Sequence, residues 1–126
     1  MTVVLDSSAV LALIFGEPGG EIVEAALKDA AILTVNVSEA IAKLTDRGFA
    51  RDAAKEAITG LPLLVFSFDL ELALLAASFR PITRRHQFSF ADRACLALAR
   101  RQECPALSAD RAWLNVDLGV SVELIR

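Results

Sequence analysis

The sequence predicts a single α/β domain over residues 1–126, with a mostly parallel central sheet flanked by helices. Three observations carry this. Short, near-continuous apolar runs alternate with segments of helical periodicity, turn residues separate them, and no repeat, low-complexity tract or linker interrupts the series. The length suffices for one core without disulfide or metal staples.

Thr2 to Leu5 is a β-branched apolar run, the first strand, ending at Asp6-Ser7-Ser8, whose oxygens cap a helix running to about Phe15. Gly16 to Gly20 breaks that helix. Glu21 to Lys28 is a second helix, with Ile22, Val23, Ala26 and Leu27 at helical spacing. Ala31 to Val35 reads as a buried strand. Asn36-Val37-Ser38-Glu39 then has the spacing of a capping box opening a helix to about Arg47, stopped by Gly48. Arg51 to Thr59 is helical, ended by Gly60 and Pro62; Leu63 to Phe66 is the third strand; Asp69 to Phe79 is a helix that Pro81 stops. Ser89 caps a longer helix through about Gln102. Pro105 to Leu107 and Val120 to Ile125 supply the last strands, with a short helix from Arg111 to about Asn115 between them.

Composition narrows the function. Apolar residues make up 55% of the chain and its mean hydropathy is +0.49, which predicts apolar surface facing another chain. The start has no basic n-region, and the apolar run Ala9 to Phe15 is shorter than the ~20 residues a membrane span needs, so the expectation is a cytoplasmic protein with no membrane partner. Cys95 and Cys104 lack the paired short spacing of zinc sites and read as reduced thiols in or near the core. A net charge of −3 argues against a sequence-independent nucleic-acid coat, but two bound divalent cations would reverse its sign. Arginines also crowd Arg80, Arg84, Arg85, Arg93, Arg100, Arg101 and Arg111, so a polyanionic substrate stays open.

Four carboxylates, Asp6, Glu39, Asp92 and Asp110, fall where a strand hands over to a helix or within a helix's first turn. In a parallel α/β domain those places line the C-terminal rim of the strands. Singly, each has an ordinary explanation: Asp6 and Asp110 as helix caps, Glu39 as the capping-box partner of Asn36, Asp92 as an acid at a helix's positive end. Capping does not explain why all four share one rim. Clustered carboxylates repel one another and need cations or raised pKa values to persist. Oxygen-only ligands select Mg²⁺ or Mn²⁺, and such a cation polarises a phosphate and makes hydroxide available for phosphodiester hydrolysis.

These motifs, Val3-Val4-Leu5-Asp6-Ser7-Ser8-Ala9, Asn36-Val37-Ser38-Glu39, Ser89-Phe90-Ala91-Asp92-Arg93-Ala94 and Leu107-Ser108-Ala109-Asp110-Arg111-Ala112-Trp113, resemble in order and spacing the acidic motifs of PIN-domain nucleases of the VapC toxin type. The resemblance runs nearly end to end. It implies a Mg²⁺- or Mn²⁺-dependent endoribonuclease, the toxin of a type II pair, neutralised by a VapB-type antitoxin and usually a homodimer. Carried over residue by residue, it makes Asp6, Glu39, Asp92 and Asp110 catalytic, with Asp6 and Asp92 as central metal ligands. Glu39 and Asp110 complete the acidic site or hold metal-bound water, and Ser8 or Ser108 gives polar support. Where the family often has a smaller glycine-leucine type stretch before the third acid, this chain has the bulkier Gln87-Phe88-Ser89-Phe90.

Arg93 and Arg111 directly follow two of the acids and are candidates for RNA contact, with a surface ion pair as the ordinary alternative. His86 reads as a solvated loop or RNA-contact residue and Asp117 as a turn residue. Phe15, Trp113 and the phenylalanines from Phe66 to Phe90 are candidates for stacking on bases, most of them better read as core. The helices Ser8 to Phe15, Glu21 to Lys28 and Glu39 to Arg47 are the expected apolar seat of an antitoxin segment. Two competing functions remain: a non-cleaving PIN-like domain that binds RNA or protein, and a phosphotransfer receiver or phosphatase. The latter is opposed by the lack of a second acid beside Asp6 and of a lysine near the late strand.

Overall fold

The apolar runs become a five-stranded, wholly parallel sheet in the computed structural model, which describes residues 3–126. The predicted strand start at Thr2 lies outside the described residues. The strands are β1 (Val3–Leu5), β2 (Ala30–Leu33), β3 (Leu64–Phe66), β4 (Ala106–Ser108) and β5 (Val122–Leu124), in the order β3-β2-β1-β4-β5. Pairing runs Val4 with Ala31 on one side of β1 and Leu5 with Leu107 on the other. Sequence order therefore reverses direction between β1 and β4, and in open α/β sheets ligands bind beyond the carboxyl ends of the strands at such a switch. A receiver-like sheet has the different order 2-1-3-4-5, so the topology removes that competing reading.

Helices cover both faces. Val3, Leu5, Ala30, Ile32 and Leu107 point to a core shared with α1 (Ser7–Phe15), α2 (Gly20–Ala26), α3 (Thr34–Asp46) and α4 (Arg51–Thr59). Val4, Ala31, Leu33 and Ala106 point the other way, to a core shared with α5 (Leu70–Ser78) and α7 (Phe90–Arg101). The period-two alternation along each strand thus splits the apolar residues into two cores, giving three layers. α2 starts unusually close to its neighbours. Gly19 has φ +93°, and a Cβ there would strike the Ile125 backbone, while one on Gly20 would lie 2.6 Å from the Ala12 carbonyl oxygen.

One boundary departs from expectation. β2 ends at Leu33, paired with Phe66, and α3 begins at Thr34, so Thr34 and Val35 are helical and Asn36 opens no capping box. Tertiary contacts outweigh the β-branched propensity of this stretch. The Thr34 hydroxyl accepts from the Phe68 backbone N–H at 3.1 Å, Val35 packs on one core and Val37 on the other. Asn36 is buried and donates its Nδ2 to the Ala91 carbonyl of α7 at 3.2 Å. α3 therefore crosses the end of the sheet and joins α7 there.

Pro81 behaves differently from a plain stop. It sits in the first turn of a short helix, α6 (Arg80–Thr83), where a missing N–H is tolerated. The segment Arg111–Asn115 is a 3-10 turn. Among the described residues no helix is long and apolar enough to cross a membrane.

Candidate active site

Asp6 follows β1 at the switch point and is the N-cap of α1. Only 5% exposed, it has both oxygens engaged: Oδ1 accepts from the Ala9 N–H at 2.9 Å and the Ser8 hydroxyl at 2.7 Å, and Oδ2 accepts from the Ser108 hydroxyl at 2.6 Å. Each serine also accepts from the chain just beyond β4. Ala109 N–H donates to Ser8 Oγ at 2.9 Å and Asp110 N–H to Ser108 Oγ at 3.0 Å. Asp6 is thereby fixed to the segment that carries Asp110.

Burial pushes the Asp6 carboxyl up to about 6 against the lowering effect of the Ser108, Ser8 and Ala9 hydrogen bonds, and the Asp92 charge adds to the rise. Asp92 is also raised, by burial first, with Glu39 and Asp110 contributing repulsion. Beneath the site, burial lifts the Cys95 thiol well above its ordinary range, and Asp6, Asp92 and Glu39 add to that. The acids therefore feel one another from four elements. Glu39 comes from α3, Asp92 from α7, and Asp110 from the cap of the 3-10 turn.

Asp6 and Asp110 cap as expected, and Asp92, expected only as an acid in a first turn, caps too. Besides Asp6, Asp92 Oδ2 accepts from the Ser89 N–H at 2.9 Å while the Ser89 hydroxyl accepts from the Asp92 N–H at 3.1 Å, a reciprocal box; Asp110 Oδ1 accepts from the Ala112 N–H at 2.9 Å. Glu39 caps nothing and lies 3.8 Å from Lys43 Nζ one turn on.

Two further residues belong here, Lys43, which the sequence did not single out, and Asn36, expected only as a helix cap. Lys43 also donates to Ser7 Oγ at 3.2 Å, placing an ammonium beside the acidic rim. Asn36 locks the Glu39 helix to the first turn of the Asp92 helix, and its buried Oδ1 has no hydrogen-bond partner among the described residues. An amide inside an apolar, helically periodic run was the available signal for Asn36. Lys43 gave none, since four residues from Glu39 it reads as a surface pair.

The other candidates separate. Arg93 donates to the Phe88 carbonyl at 3.2 Å, and Arg111 and His86 are exposed. Asp117 accepts from the Gly119 N–H at 2.9 Å as a turn residue. Trp113 is buried and stacks with Phe88 in the core, whereas Phe90 is 52% exposed. Cys95 is buried and Cys104 half-buried, both free thiols.

Among the described residues, no three acidic, histidine or cysteine side chains stand close enough to grip a metal ion as they are. The donor chemistry nonetheless fits a hard cation. The donors on offer are the carboxylate and hydroxyl oxygens of Asp6, Asp92, Ser8 and Ser108, and Asp6 and Asp92 are raised in the way that a positive charge would reverse.

Comparison with known proteins agrees with this fold. The PIN domain family matches residues 3–118. The fold is similar to DNA-bound VapBC from Salmonella typhimurium (TM-score 0.81, 16% identity, 100% of this chain and 99% of that one). It is also similar to VapC20 of Mycobacterium tuberculosis, a sarcin-ricin loop cleaving toxin (TM-score 0.76, 17% identity, 90% and 94%). A third similar structure is VapBC-5 of Mycobacterium tuberculosis, a member of the VapBC family of toxin-antitoxin systems (TM-score 0.65, 22% identity, 100% and 99%). Among curated proteins no match was found. With the PIN domain matched over residues 3–118, and a parallel sheet of order β3-β2-β1-β4-β5 beneath it, the chain belongs to the PIN domain family.

Proposed function

We propose that this chain is a Mg²⁺- or Mn²⁺-dependent endoribonuclease, the toxin of a type II toxin-antitoxin pair held inactive by a VapB-type antitoxin. The observation that carries the proposal is Asp6, buried after β1 between two serine hydroxyls, with Asp92 within its electrostatic reach and Glu39 and Asp110 within that of Asp92. Similarity to VapBC complexes and to an RNA-cleaving VapC supports the substrate and the partner. A non-cleaving reading needs a missing acid, and the sequence carries all four.

Asp6 and Asp92 would hold the cation, with Glu39 and Asp110 completing the acidic shell. When bound, such a cation neutralises phosphate charge and lowers the pKa of a water molecule. The chain's own part is positional. Ser8 and Ser108 hold the Asp6 carboxylate in one orientation, and Lys43 offsets Glu39 and offers an ammonium to a phosphate oxygen. Arg93 and Arg111 flank the acids for RNA contact. A second copy of the chain is the expected homodimer partner, and the edge strand β3 with exposed Leu64 and Val65, and α5 with exposed Leu70 and Leu74, leave apolar surface for it.

The direct test is cleavage of single-stranded or loop RNA by the purified chain. Mg²⁺ or Mn²⁺ should support it and EDTA should stop it, while a zinc-selective chelator leaves it running. Cutting that persists in EDTA sinks the metal mechanism.

Asn36→Leu probes the joint between α3 and α7. Removing the unpartnered Oδ1 offsets loss of the bond to Ala91, so urea unfolding should move by no more than about 1 kcal/mol. Cleavage should nevertheless fall about tenfold, because misplacing Glu39 relative to Asp92 is costly in a site that works by positioning. Unchanged activity would make Asn36 a packing residue only.

A further inference from the structure

We infer that the pocket between α5 and the first turn of α7 seats one unstacked base of the RNA, an inference that rests on the ribonuclease reading. A cavity of about 460 Å³ lies there, lined by Phe68, Ala73, Ala77, Arg80, Phe90 and Arg93 among others. Phe90 is 52% exposed although its ring meets Phe68 edge to face at 5.5 Å. An aromatic ring left half open above a floor of alanines offers a flat apolar slot. Bases of single-stranded RNA fill such slots by stacking, without regard to sequence.

Charge selects a nucleotide over an apolar peptide side chain. Two arginines line the pocket and no carboxylate does. The acids at the start of α5, Asp69 and Glu71, are taken up by Arg101, whose Nη1 donates to them at 2.9 and 3.3 Å. Arg84, Arg85 and His86 continue the basic surface just beyond α6. A base in the slot would thus have guanidinium groups beside its phosphates.

Position links the pocket to the acidic site. Phe90 and Arg93 are three residues apart on α7 and so share one face of its first turn, while Asp92 looks elsewhere from that turn. The backbone of Phe68 is tied to Thr34, the first residue of the helix carrying Glu39. A strand with a base in the slot would run past Asp92. Of the Phe88-Ser89-Phe90 stretch before Asp92, Phe90 alone lines the pocket and builds its wall, while Phe88 is buried against Trp113.

The test uses the whole chain and a short unstructured oligoribonucleotide carrying 2-aminopurine at one position, titrated in EDTA so that no cutting occurs. Wild type should change the 2-aminopurine fluorescence at one placement along the RNA. Phe90→Ala should weaken binding about tenfold, Phe90→Trp should retain it, and Arg80→Ala should lower the slope of log affinity against log salt by about 0.7. With Mg²⁺ or Mn²⁺, Phe90→Ala should raise KM and leave kcat near wild type. Unchanged binding, salt slope and KM in these variants, with cleavage intact, overturns the pocket and leaves the ribonuclease standing. Base-specific fluorescence without cleavage under either metal does the reverse. Absence of both removes both, and a Phe90→Ala variant that binds RNA normally yet loses antitoxin overturns the inference in favour of a protein seat.

Discussion

Replacing Asp6 with Asn should abolish RNA cleavage while leaving the metal-free protein at least as stable at neutral pH. Burial raises this carboxyl from 3.8 to about 6, so the folded chain binds its proton more tightly than the unfolded chain does. Between those two values the native state holds the extra proton. Stability from this group therefore rises as pH falls from about 6 towards 3.8, and the full penalty, about 3 kcal/mol, applies above 6. Asn carries no such penalty. Its Oδ1 can accept from Ala9 and Ser8 as Asp6 does, and its Nδ2 can donate to the Ser108 hydroxyl. Thermal melts of wild type in EDTA should improve on going from pH 7 to pH 4.5, with the Asp6→Asn curve flatter over that range. Asp92→Asn should share the direction, since Asp92 is raised for the same reason. Adding Mg²⁺ or Mn²⁺ should stabilise wild type and neither variant, as binding to the native state alone requires. Asn variants that melt well below wild type without metal would show that these acids serve chiefly as caps.

That experiment also separates two roles that the sequence alone leaves entangled. Asp6 and Asp110 were readable as helix caps and Asp92 as an acid in a first turn, and the hydrogen bonds of the caps are there, with Asp92 closing a box on Ser89 besides. Capping is local, set by residues two or three apart, which is why it shows in a linear chain. Their convergence followed from topology, because βα units place successive helix starts on one rim. Where local and long-range demands conflict, the sequence misleads. Thr34 to Val37 carries β-branched residues and a capping-box spacing, yet forms the start of α3 because Val35, Asn36 and Val37 each have a partner elsewhere in the fold. The slot between Phe68 and Phe90 is illegible for a related reason. Its walls come from two elements that meet only after α5 packs on α7, and nothing in either segment distinguishes the exposed Phe90 from the buried Phe88.

Changing Phe15 to Glu should weaken antitoxin binding far more than it weakens RNA cleavage. Of the three helices that the sequence offers as an antitoxin seat, two, α1 and α3, line a groove, and that groove is the seat this experiment tests. α2 packs along α1 and lines no part of the groove, whose lining comes from α1, α3 and the chain end: Leu11 and Phe15 beneath Lys43, Asp46, Arg47 and Arg126. Leu11 and Phe15 lie one turn apart on α1 with Ser8 one turn before them, so the cavity of about 290 Å³ leads straight to the hydroxyl that holds Asp6. Leu13, on a different face of α1, is not among the residues that line this groove. At the outer end the Arg47 guanidinium lies 4.4 Å from the centre of the Phe15 ring, and Glu17 draws both Arg47 and Arg126 to 3.9 Å. An antitoxin helix or extended segment would set apolar side chains on Leu11 and Phe15, with a basic residue directed along the groove to the carboxylates. Glutamate removes the ring on which those side chains would pack and draws Arg47 into an ion pair that the partner must desolvate, enough for a loss of about a hundredfold in affinity at roughly 1.4 kcal/mol per decade. The acids themselves are untouched, so cleavage by the free toxin should stay within a few-fold of wild type. Isothermal titration with the antitoxin and an RNA cleavage assay on the same preparation read the two effects separately, and equal affinity for both proteins would place the seat elsewhere.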